Sequence, residues 1–341
     1  MLIAADATYT LDRNPTGIAV YSGELLNGLA RAHPEAGFLF CYRPHRFARA
    51  LAQPLRTNVW RWPLMEGGPR PGALFHGLNQ RLPARRWPLQ VATFHDLFVM
   101  SHEYSTAEFR ARFTTQARHA AENADLLIAV SQFTANEVQR LLGVEPRRIR
   151  VVPHGVRLPK VVNPAKEKLV LSVGAIQKRK NTTRLVRAFA SMPADWKLVL
   201  AGGRGYGAEE TLQEIEESPR RQDIEVADHV SEARLAELYA KAGIFAFPSL
   251  DEGFGIPILE AMANGVPVVT SNRSAMPEVC GDAGLQVDPE SVDELAAALR
   301  RLAADETLRG SLAELGLARA REFCWDRVVA ATWSVYRELV G

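Results

Sequence analysis

Hydrophobic runs and amphipathic segments alternate along almost the whole chain. Short runs rich in β-branched residues, typical of buried strands, are separated by longer stretches with apolar residues at helical spacing. In the first half, strands are predicted at 2–7, 38–42, 73–76, 90–95, 126–130 and 149–152, and helices at 18–33, 106–123 and 132–142. In the second half, strands are predicted at 169–173, 197–201, 224–226, 244–247, 267–270 and 285–287. This alternation predicts an α/β fold with parallel sheets.

The length of the chain and one loop predict two domains. At 341 residues the chain exceeds the size at which a single hydrophobic core usually keeps growing. The segment 153–166 lies mid-chain and is rich in residues that break helices and strands, namely Pro153, Gly155, Pro159 and Pro164.

We therefore expect two Rossmann-like, doubly wound domains over residues 1–158 and 159–324. Each should bind ligands at the carboxyl ends of its strands, so that the two domains face each other across a cleft. A final helix at about 325–341 has an apolar face and is expected to pack back on the first domain.

The net charge of +2 is unevenly distributed. Residues 1–158 contain 19 Lys and Arg against 12 Asp and Glu, whereas the remainder contains 22 against 27, so the two halves carry +7 and −5. A basic first half favours an anionic partner, either a phosphate-bearing acceptor or a membrane surface, but is equally consistent with solvated arginines. The segment 43–62, which mixes arginines with Trp60 and Trp62, fits a membrane contact or ordinary helix-plus-loop packing. We expect no nucleic acid partner.

Targeting and metal-binding signals are missing from the sequence. No stretch approaches the ~20 apolar residues that cross a bilayer, and the first ten residues do not resemble a secretory signal. Cys41, Cys280 and Cys324 are widely separated, and neither a D-x-D pair nor a metal-ligand spacing occurs. The sequence predicts a cytoplasmic protein, free or peripheral at the inner face of the membrane, with no metal or cofactor.

The segment 247–265 carries the strongest chemical signal. A buried strand ends at its start, and Pro257 then opens a helix that stops at a glycine. Gly253 and Gly255 allow close approach of the backbone to a ligand, and the helix start offers N–H groups to an anion. Glu252 and Glu260 frame the loop, and a carboxylate accepts hydrogen bonds from vicinal hydroxyls, as in a sugar or ribose.

These residues resemble the retaining glycosyltransferases of the GT4 group, which have the GT-B fold. The resemblance rests on the spacing from Glu252 to Glu260 with Gly253-Phe254-Gly255 between them, continues over 265–285, and covers nearly the whole chain. It implies that Glu252 contacts the transferred sugar and that Glu260 holds the ribose hydroxyls. Backbone amides from Gly253 to Ile256 would bind sugar hydroxyls and phosphate.

A basic turn follows the strand predicted at 169–173. Gly174 leads to the consecutive cations 178–180, and Asn181 is predicted to cap the next helix. Fixed cations stabilise a departing diphosphate more than the bound substrate, because the leaving group gains negative charge. The resemblance implies that Lys180 binds the diphosphate. Ala175 stands where many family members have an arginine, and Arg179 is expected to supply that second cation.

A glycine-containing loop follows the first strand. It runs from Asn14 to Tyr21, with Thr16 predicted as a helix cap and Gly17 facing phosphate or acceptor. The family often has an arginine at the position of Val20. We expect Tyr21 on the acceptor side.

Further positions in both halves of the chain extend the prediction. His95 and Asp96 follow a strand and could form a general-base pair. The resemblance instead implies that His95 contacts the donor sugar, and Asp96 is assigned to the acceptor side; a purely structural histidine also stays open. His154 is predicted to shape the hinge between domains. Backbone groups near Val230 are expected to contact the nucleotide base.

The resemblance implies a hexosyltransferase that retains the configuration of the transferred sugar, and the missing metal-ligand spacing predicts that it needs no metal ion. The short chain and the stretch 173–181 look most like bacterial mannosyltransferases that use GDP-mannose. The acceptor would be a hydroxyl of a saccharide or a lipid-linked saccharide in surface-polysaccharide synthesis. A UDP-sugar donor, and a non-catalytic nucleotide-sugar binding protein, remain as alternatives.

Overall fold

The chain folds into two compact α/β units. The computed structural model describes residues 1–12, 17–65, 68–163, 165–228 and 230–341. The first unit comprises Met1–Gly155 together with Cys324–Gly341, and the second comprises Val156–Phe323. The division falls within the segment 153–166; Pro164 of that segment lies outside the described residues.

The first unit contains seven parallel strands with helices between them. Its elements are β1 (Leu2–Asp6), α1 (Ile18–Ala32), β2 (Gly37–Tyr42), α2 (Pro44–Ala50), β3 (Val59–Pro63), β4 (Leu74–Gly77), β5 (Leu89–Phe94), α3 (Phe98–Ser101), α4 (Ala107–Asn123), β6 (Leu126–Ala129), α5 (Gln132–Leu142) and β7 (Ile149–Val151). The strand order is β3-β2-β1-β4-β5-β6-β7. The order reverses between β1 and β4, which is where doubly wound sheets bind ligands.

The second unit repeats this architecture with six parallel strands. Its elements are β8 (Leu169–Val173), α6 (Thr182–Phe189), β9 (Lys197–Ala201), α7 (Ala208–Glu217), β10 (Ile224–Ala227), α8 (Glu232–Lys241), β11 (Ile244–Phe247), α9 (Ile256–Ala263), β12 (Val268–Ser271), α10 (Met276–Cys280), β13 (Gly284–Val287), α11 (Val292–Ala304) and α12 (Glu306–Glu322). The strand order β10-β9-β8-β11-β12-β13 reverses between β8 and β11. The prediction of an α/β fold is confirmed.

The last helix, α13 (Trp325–Val340), belongs to the first unit. Val328, Val329, Val335 and Tyr336 are buried in the same hydrophobic cluster as residues of β1, β2 and α1. Contact with α1 is close, since a Cβ added to Gly28 would lie 2.5 Å from a methyl carbon of Val329. The final helix therefore completes the core of the domain in which the chain began.

The segment 43–62 differs from the prediction. It contains α2 and then most of an edge strand, β3, whose register pairs Phe38 with Val59 and Cys41 with Trp62. The expectation of a loop after the helix is wrong for this end of the segment. An edge strand pairs on one side only, so Trp60 stays half exposed and the run lacks the apolar character of the central strands.

Candidate functional site

In the second unit, the loops that follow β8 and β11 meet at one edge of the sheet. Their strands are parallel neighbours at the point where the strand order reverses. The amide N–H of Leu250 donates to the carbonyl of Arg179 at 2.8 Å. The side-chain amide of Asn181 donates to the carbonyls of Pro248 at 3.0 Å and Pro289 at 2.7 Å. These bonds fix the basic turn against the loop that carries Glu252.

Asn181 therefore has a different role from the one predicted. It precedes α6, but its side chain makes no capping hydrogen bond. Its backbone has φ 59°, the left-handed conformation that asparagine tolerates better than most residues. Asn181 therefore occupies the predicted N-cap position, but its side chain connects two neighbouring loops instead of capping the helix.

Glu252 is a buried carboxylate between two cations. Its Oε1 lies 2.7 Å from Nη1 of Arg179 and 2.5 Å from Nζ of Lys180. Burial alone would raise the pKa of Glu252, but the charges and hydrogen bonds of Arg179 and Lys180 outweigh it and lower that pKa to about 2. The carboxylate is therefore ionised at neutral pH.

The side chain of Lys180 packs beside Phe247 and Gly174. Its Nζ lies 4.5 Å from the centre of the Phe247 ring, a cation–π contact. Gly174 has φ 131°, and a Cβ at that position would come within 3.2 Å of Cε of Lys180. The glycine thus leaves room for the lysine side chain beside the end of β8.

Arg179 is held even more firmly than Lys180. Its side chain is nearly buried, and Nη1 donates to the carbonyl of Asp251 at 2.6 Å in addition to its contact with Glu252. The structure therefore brings together Arg179, Lys180 and Glu252, as expected from their positions after neighbouring strands.

Glu260 lies on α9, which begins immediately after the glycine loop. Gly255 precedes the helix with φ 110°, a conformation that a side chain would strain, and Pro257 occupies the first turn. The hydroxyl of Tyr239 donates to Oε2 of Glu260 at 2.7 Å. Burial raises the pKa of Glu260, and the Tyr239 hydrogen bond and the charge of Arg157 oppose that rise.

The rest of the glycine loop offers a ligand mainly its backbone. The side chain of Phe254 is buried and makes an edge contact with Phe323 at 5.8 Å. Gly253 is buried and Ile256 is half-buried at the start of α9. Val230 is half-buried just before α8, while its neighbour His229 lies outside the described residues.

The first unit holds a separate pair of stacked histidines. The rings of His95 and His154 are 5.1 Å apart and nearly parallel. Nε2 of His95 lies 2.9 Å from the carbonyl of Leu78, and Nδ1 lies 3.2 Å from Nε2 of His154. Because a carbonyl only accepts, His95 carries its proton on Nε2, and its Nδ1 accepts from His154.

Burial lowers the pKa of His95 to about 4 and lowers that of His154 well below its ordinary value. Each ring nitrogen of His95 also has a partner other than Asp96, which is itself half-buried. A weakly basic imidazole with both nitrogens engaged favours a positioning role over that of a general base.

Tyr21 packs edge-on against both histidines, with ring centres 4.8 Å from His95 and 5.0 Å from His154. Tyr21 is buried, and its hydroxyl contacts Oγ1 of Thr93 at 3.2 Å, so its ring is fixed in its contact with the two histidines. Gly17 precedes α1 with φ 44°. Asn14 and Thr16, with the predicted cap, lie outside the described residues.

Two searches of the described residues give negative results. Over the ranges that the structure describes, no group of three or more His, Cys, Asp or Glu side chains is placed to hold a metal ion. No helix within the same ranges combines the length and the apolar character needed to span a bilayer.

Comparison with known proteins now decides the family. The sequence pattern described as "Glycosyl transferases group 1" matches residues 158–318, and that described as "Glycosyltransferase Family 4" matches residues 68–159. An O-antigen chain mannosyltransferase B from Escherichia coli is 34% identical over 284 residues, covering 78% of this chain and 74% of that protein. The chain belongs to the GT4 glycosyltransferases. The resemblance identified from the sequence is confirmed.

Solved structures show that this GT4 protein has the GT-B fold. A sucrose-phosphate synthase from Thermosynechococcus elongatus superimposes with a TM-score of 0.79 at 23% identity, covering 99% of both chains. HepE from Anabaena, solved in complex with UDP, gives a TM-score of 0.73 at 18% identity, again covering 99% of both chains.

Several residues of these clusters were not predicted. Tyr239 gives no local signal, because a tyrosine on the buried face of a helix is usually an ordinary core residue. His154 was assigned to the hinge, although it stacks on His95 within the first unit. The contacts of His76 were not predicted either. Its Nδ1 lies 2.6 Å from the hydroxyl of Tyr336 of α13, and its Nε2 lies 2.8 Å from Oγ1 of Thr93.

Proposed function

We propose that this GT4 enzyme transfers mannose from GDP-mannose, with retention of configuration, to a hydroxyl of a saccharide or lipid-linked saccharide acceptor. The supporting observation is the buried cluster in which Glu252 lies between Lys180 and Arg179. The mannosyl donor is supported by the mannosyltransferase relative from Escherichia coli, and the role in surface polysaccharide by the O-antigen named in its description.

The proposed reaction exchanges one bond to the anomeric carbon for another. The bond from that carbon to the diphosphate oxygen breaks, and a bond to the acceptor oxygen forms on the same face. The acceptor proton passes to the departing diphosphate oxygen. Lys180 and Arg179 stabilise the charge that develops on the leaving group, and Glu252 offsets positive charge on the sugar ring.

Recognition of the nucleotide is assigned to α9. The N–H of Ile256 at the start of this helix favours a phosphate, since Pro257 has no N–H and that of Ile258 donates to the carbonyl of Gly255 at 3.0 Å. Glu260 accepts hydrogen bonds from the ribose hydroxyls. Tyr239 occupies Oε2 of Glu260, which orients the carboxylate. With two cations and a helix start supplying the positive charge, we propose that the transfer proceeds without a metal ion.

A UDP-sugar is the alternative donor. HepE shares the fold and was solved with UDP. At 18% identity, this similarity is evidence for a common fold and not for a common donor. The contacts proposed for Lys180, Arg179 and Glu260 involve diphosphate and ribose, which GDP and UDP donors share. A non-catalytic nucleotide-sugar binding protein would use the same contacts without turnover.

Titration calorimetry with GDP and UDP, followed by turnover with GDP-mannose and UDP-glucose, tests this proposal. Hydrolysis of the donor is measured first, because it needs no acceptor. We expect tighter binding of GDP, release of mannose from GDP-mannose, and no loss of rate in EDTA. A preference for UDP-glucose would refute GDP-mannose as the donor and support the alternative. Nucleotide binding without any turnover would refute the assignment as an enzyme.

A further inference from the structure

Two residues other than glycine have a positive φ among those that the structure describes, and both lie beside Glu252 and its cations. Asn181, with φ 59°, directly follows Lys180, and Ser274, with φ 51°, contacts the backbone of Glu252. This left-handed conformation costs free energy for a residue with a Cβ, and serine adopts it less readily than asparagine or aspartate. Such residues persist where the surrounding structure holds them in place, and they cluster at functional sites.

Ser274 lies in the loop between β12 and α10 and holds the backbone of Glu252. Its Oγ accepts from the N–H of Glu252 at 3.1 Å. The next residue, Ala275, donates its N–H to the carbonyl of Glu252 at 3.3 Å. Consecutive residues of one loop therefore bind both backbone polar groups of Glu252, so the position of this loop determines where the carboxylate can lie.

The hydroxyl of Ser274 is oriented to accept from Glu252. Its hydrogen is directed to Sδ of Met276 at 3.5 Å, and Met276 is buried. With its hydrogen directed there, the oxygen presents a lone pair to the N–H of Glu252. Glu252 is only 9% exposed, so little water could replace this acceptor if it were lost.

We propose that Ser274 is a positioning residue that fixes Glu252 between Arg179 and Lys180. The inference rests on the proposed function, because it concerns the carboxylate that is assigned there to the sugar ring. Glycine would adopt the positive φ without strain, but it has no oxygen to accept from Glu252. A catalytic group must be held within about 0.5 Å of its productive position, so a shift of the Glu252 backbone should lower turnover.

Comparison of Ser274→Gly with Ser274→Ala separates this role from a structural one. Both variants lose the hydroxyl, but only alanine keeps the strain, so Ser274→Gly should have the higher melting temperature. A role in stability alone predicts that turnover follows the melting temperature, so that the glycine variant is the more active. Positioning by the hydroxyl predicts an equal loss of turnover in both variants, by about tenfold, as for one lost hydrogen bond.

Ser271 supplies a matched control. Its Oγ accepts from the N–H of Arg273 at 3.1 Å, which is the same kind of bond, of the same length, as that from Glu252 to Ser274. Ser271 is buried at the end of β12, before the same loop. Ser271→Ala therefore removes a comparable bond that does not involve Glu252, and its turnover should stay close to that of wild type.

Donor hydrolysis by the full chain measures kcat, and calorimetric titration with GDP measures the nucleotide affinity. We expect kcat to fall about tenfold in both Ser274 variants and the Kd of GDP to stay unchanged, because Glu252 is assigned to the sugar and Glu260 to the ribose. Full kcat in either Ser274 variant would overturn the proposal. An equal loss in Ser271→Ala, or a tenfold loss of GDP affinity in the Ser274 variants, would also overturn it.

Crystal structures of wild type and the two Ser274 variants test the positioning without turnover. We expect the Glu252 carboxylate to lose its contact with Arg179 or Lys180 in both variants. A carboxylate that keeps both contacts would overturn the positioning role and leave the proposed function intact. A displaced carboxylate, in a protein whose wild type hydrolyses no nucleotide sugar, would support the positioning role and refute the proposed function.

Discussion

The ammonium nitrogen of Lys180 lies 2.5 Å from Oε1 of Glu252. Because the guanidinium of Arg179 contacts the same oxygen at 2.7 Å, one carboxylate is shared by two cations. In the proposed transfer, a diphosphate beside this cluster would meet positive charge that is already fixed in place, so little reorganisation would be needed as the leaving group forms.

Lys180→Ala is expected to leave the protein folded, because Glu252 retains its contact with Arg179. Turnover should fall by about 10²–10³-fold, the typical effect of removing one charge-stabilising group. Steady-state rates with the donor measure this loss. Lys178→Ala is the matched control, since Lys178 is exposed in the same turn; an equal loss in both variants would contradict the assignment.

Replacement of Glu252 by glutamine should destabilise the protein in a pH-dependent way. The pKa of Glu252 is lowered to about 2 in the folded state, so its ionised form contributes stability that is fully present above the unfolded value of about 4.3. That contribution disappears as pH falls from about 4.3 towards 2. We expect Glu252→Gln to cost about 3 kcal/mol of unfolding free energy at pH 7.

Urea unfolding of wild type and Glu252→Gln at several pH values measures this difference. The two proteins should converge as the pH decreases below about 4. A difference that is constant from pH 7 to pH 3 would show that the carboxylate charge is not the stabilising group.

Glu260→Ala is expected to weaken binding of the donor nucleotide by about 1.5–3 kcal/mol, as for loss of a hydrogen bond to a charged group. Tyr239→Phe removes the bond that orients Glu260 and should cost less, about 0.5–1.5 kcal/mol. Calorimetric titration measures both. Unchanged affinity in Glu260→Ala would refute its role in holding the ribose.

The affinity for GDP-mannose should also decrease as the pH is lowered. Burial raises the pKa of Glu260, so the carboxylate takes up a proton at a higher pH than an ordinary glutamate, and the protonated group accepts hydrogen bonds from hydroxyls less well. Titrations at successively lower pH, starting from 7.5, should show this decrease in wild type. Its persistence in Glu260→Gln would assign it to another group.

The stacked histidines predict a second pH dependence, in the first unit. Burial lowers the pKa of His95 to about 4, so the neutral ring contributes stability that is present above the unfolded value of about 6.5. That stability is lost as pH falls towards 4. Unfolding at pH 7.5 and 5 should show a smaller loss in His95→Gln than in wild type, whereas the exposed control His102→Gln should behave as wild type.

The sequence predicted the elements that are apolar on both faces. The predicted bounds of β8, β9, β11 and α5 agree with the structure, because buried parallel strands are short continuous apolar runs and α5 ends at a glycine. β3 escaped prediction because it lies at the sheet edge, where Arg61 and Pro63 interrupt the apolar pattern.

Only those site residues that belong to short local motifs could be predicted from the sequence. Glu252, Lys180 and Glu260 belong to compact motifs that follow strands, and parallel neighbours bring such loops together. The contact of Tyr239 with Glu260 depends instead on how two helices pack, and that of His154 with His95 joins residues 59 positions apart. Neither separation leaves a periodic signal in the sequence.

Because α13 supplies Val328, Val335 and Tyr336 to the core of the first unit, the order of synthesis differs from the order in which cores can close. The residues of the second unit are contiguous, from Val156 to Phe323, and are all synthesised before α13. The hydrophobic core of the first unit can close only after the sixteen residues of α13 have been synthesised. During translation its apolar surface near α1 therefore stays open to chaperones for longer than that of the later unit.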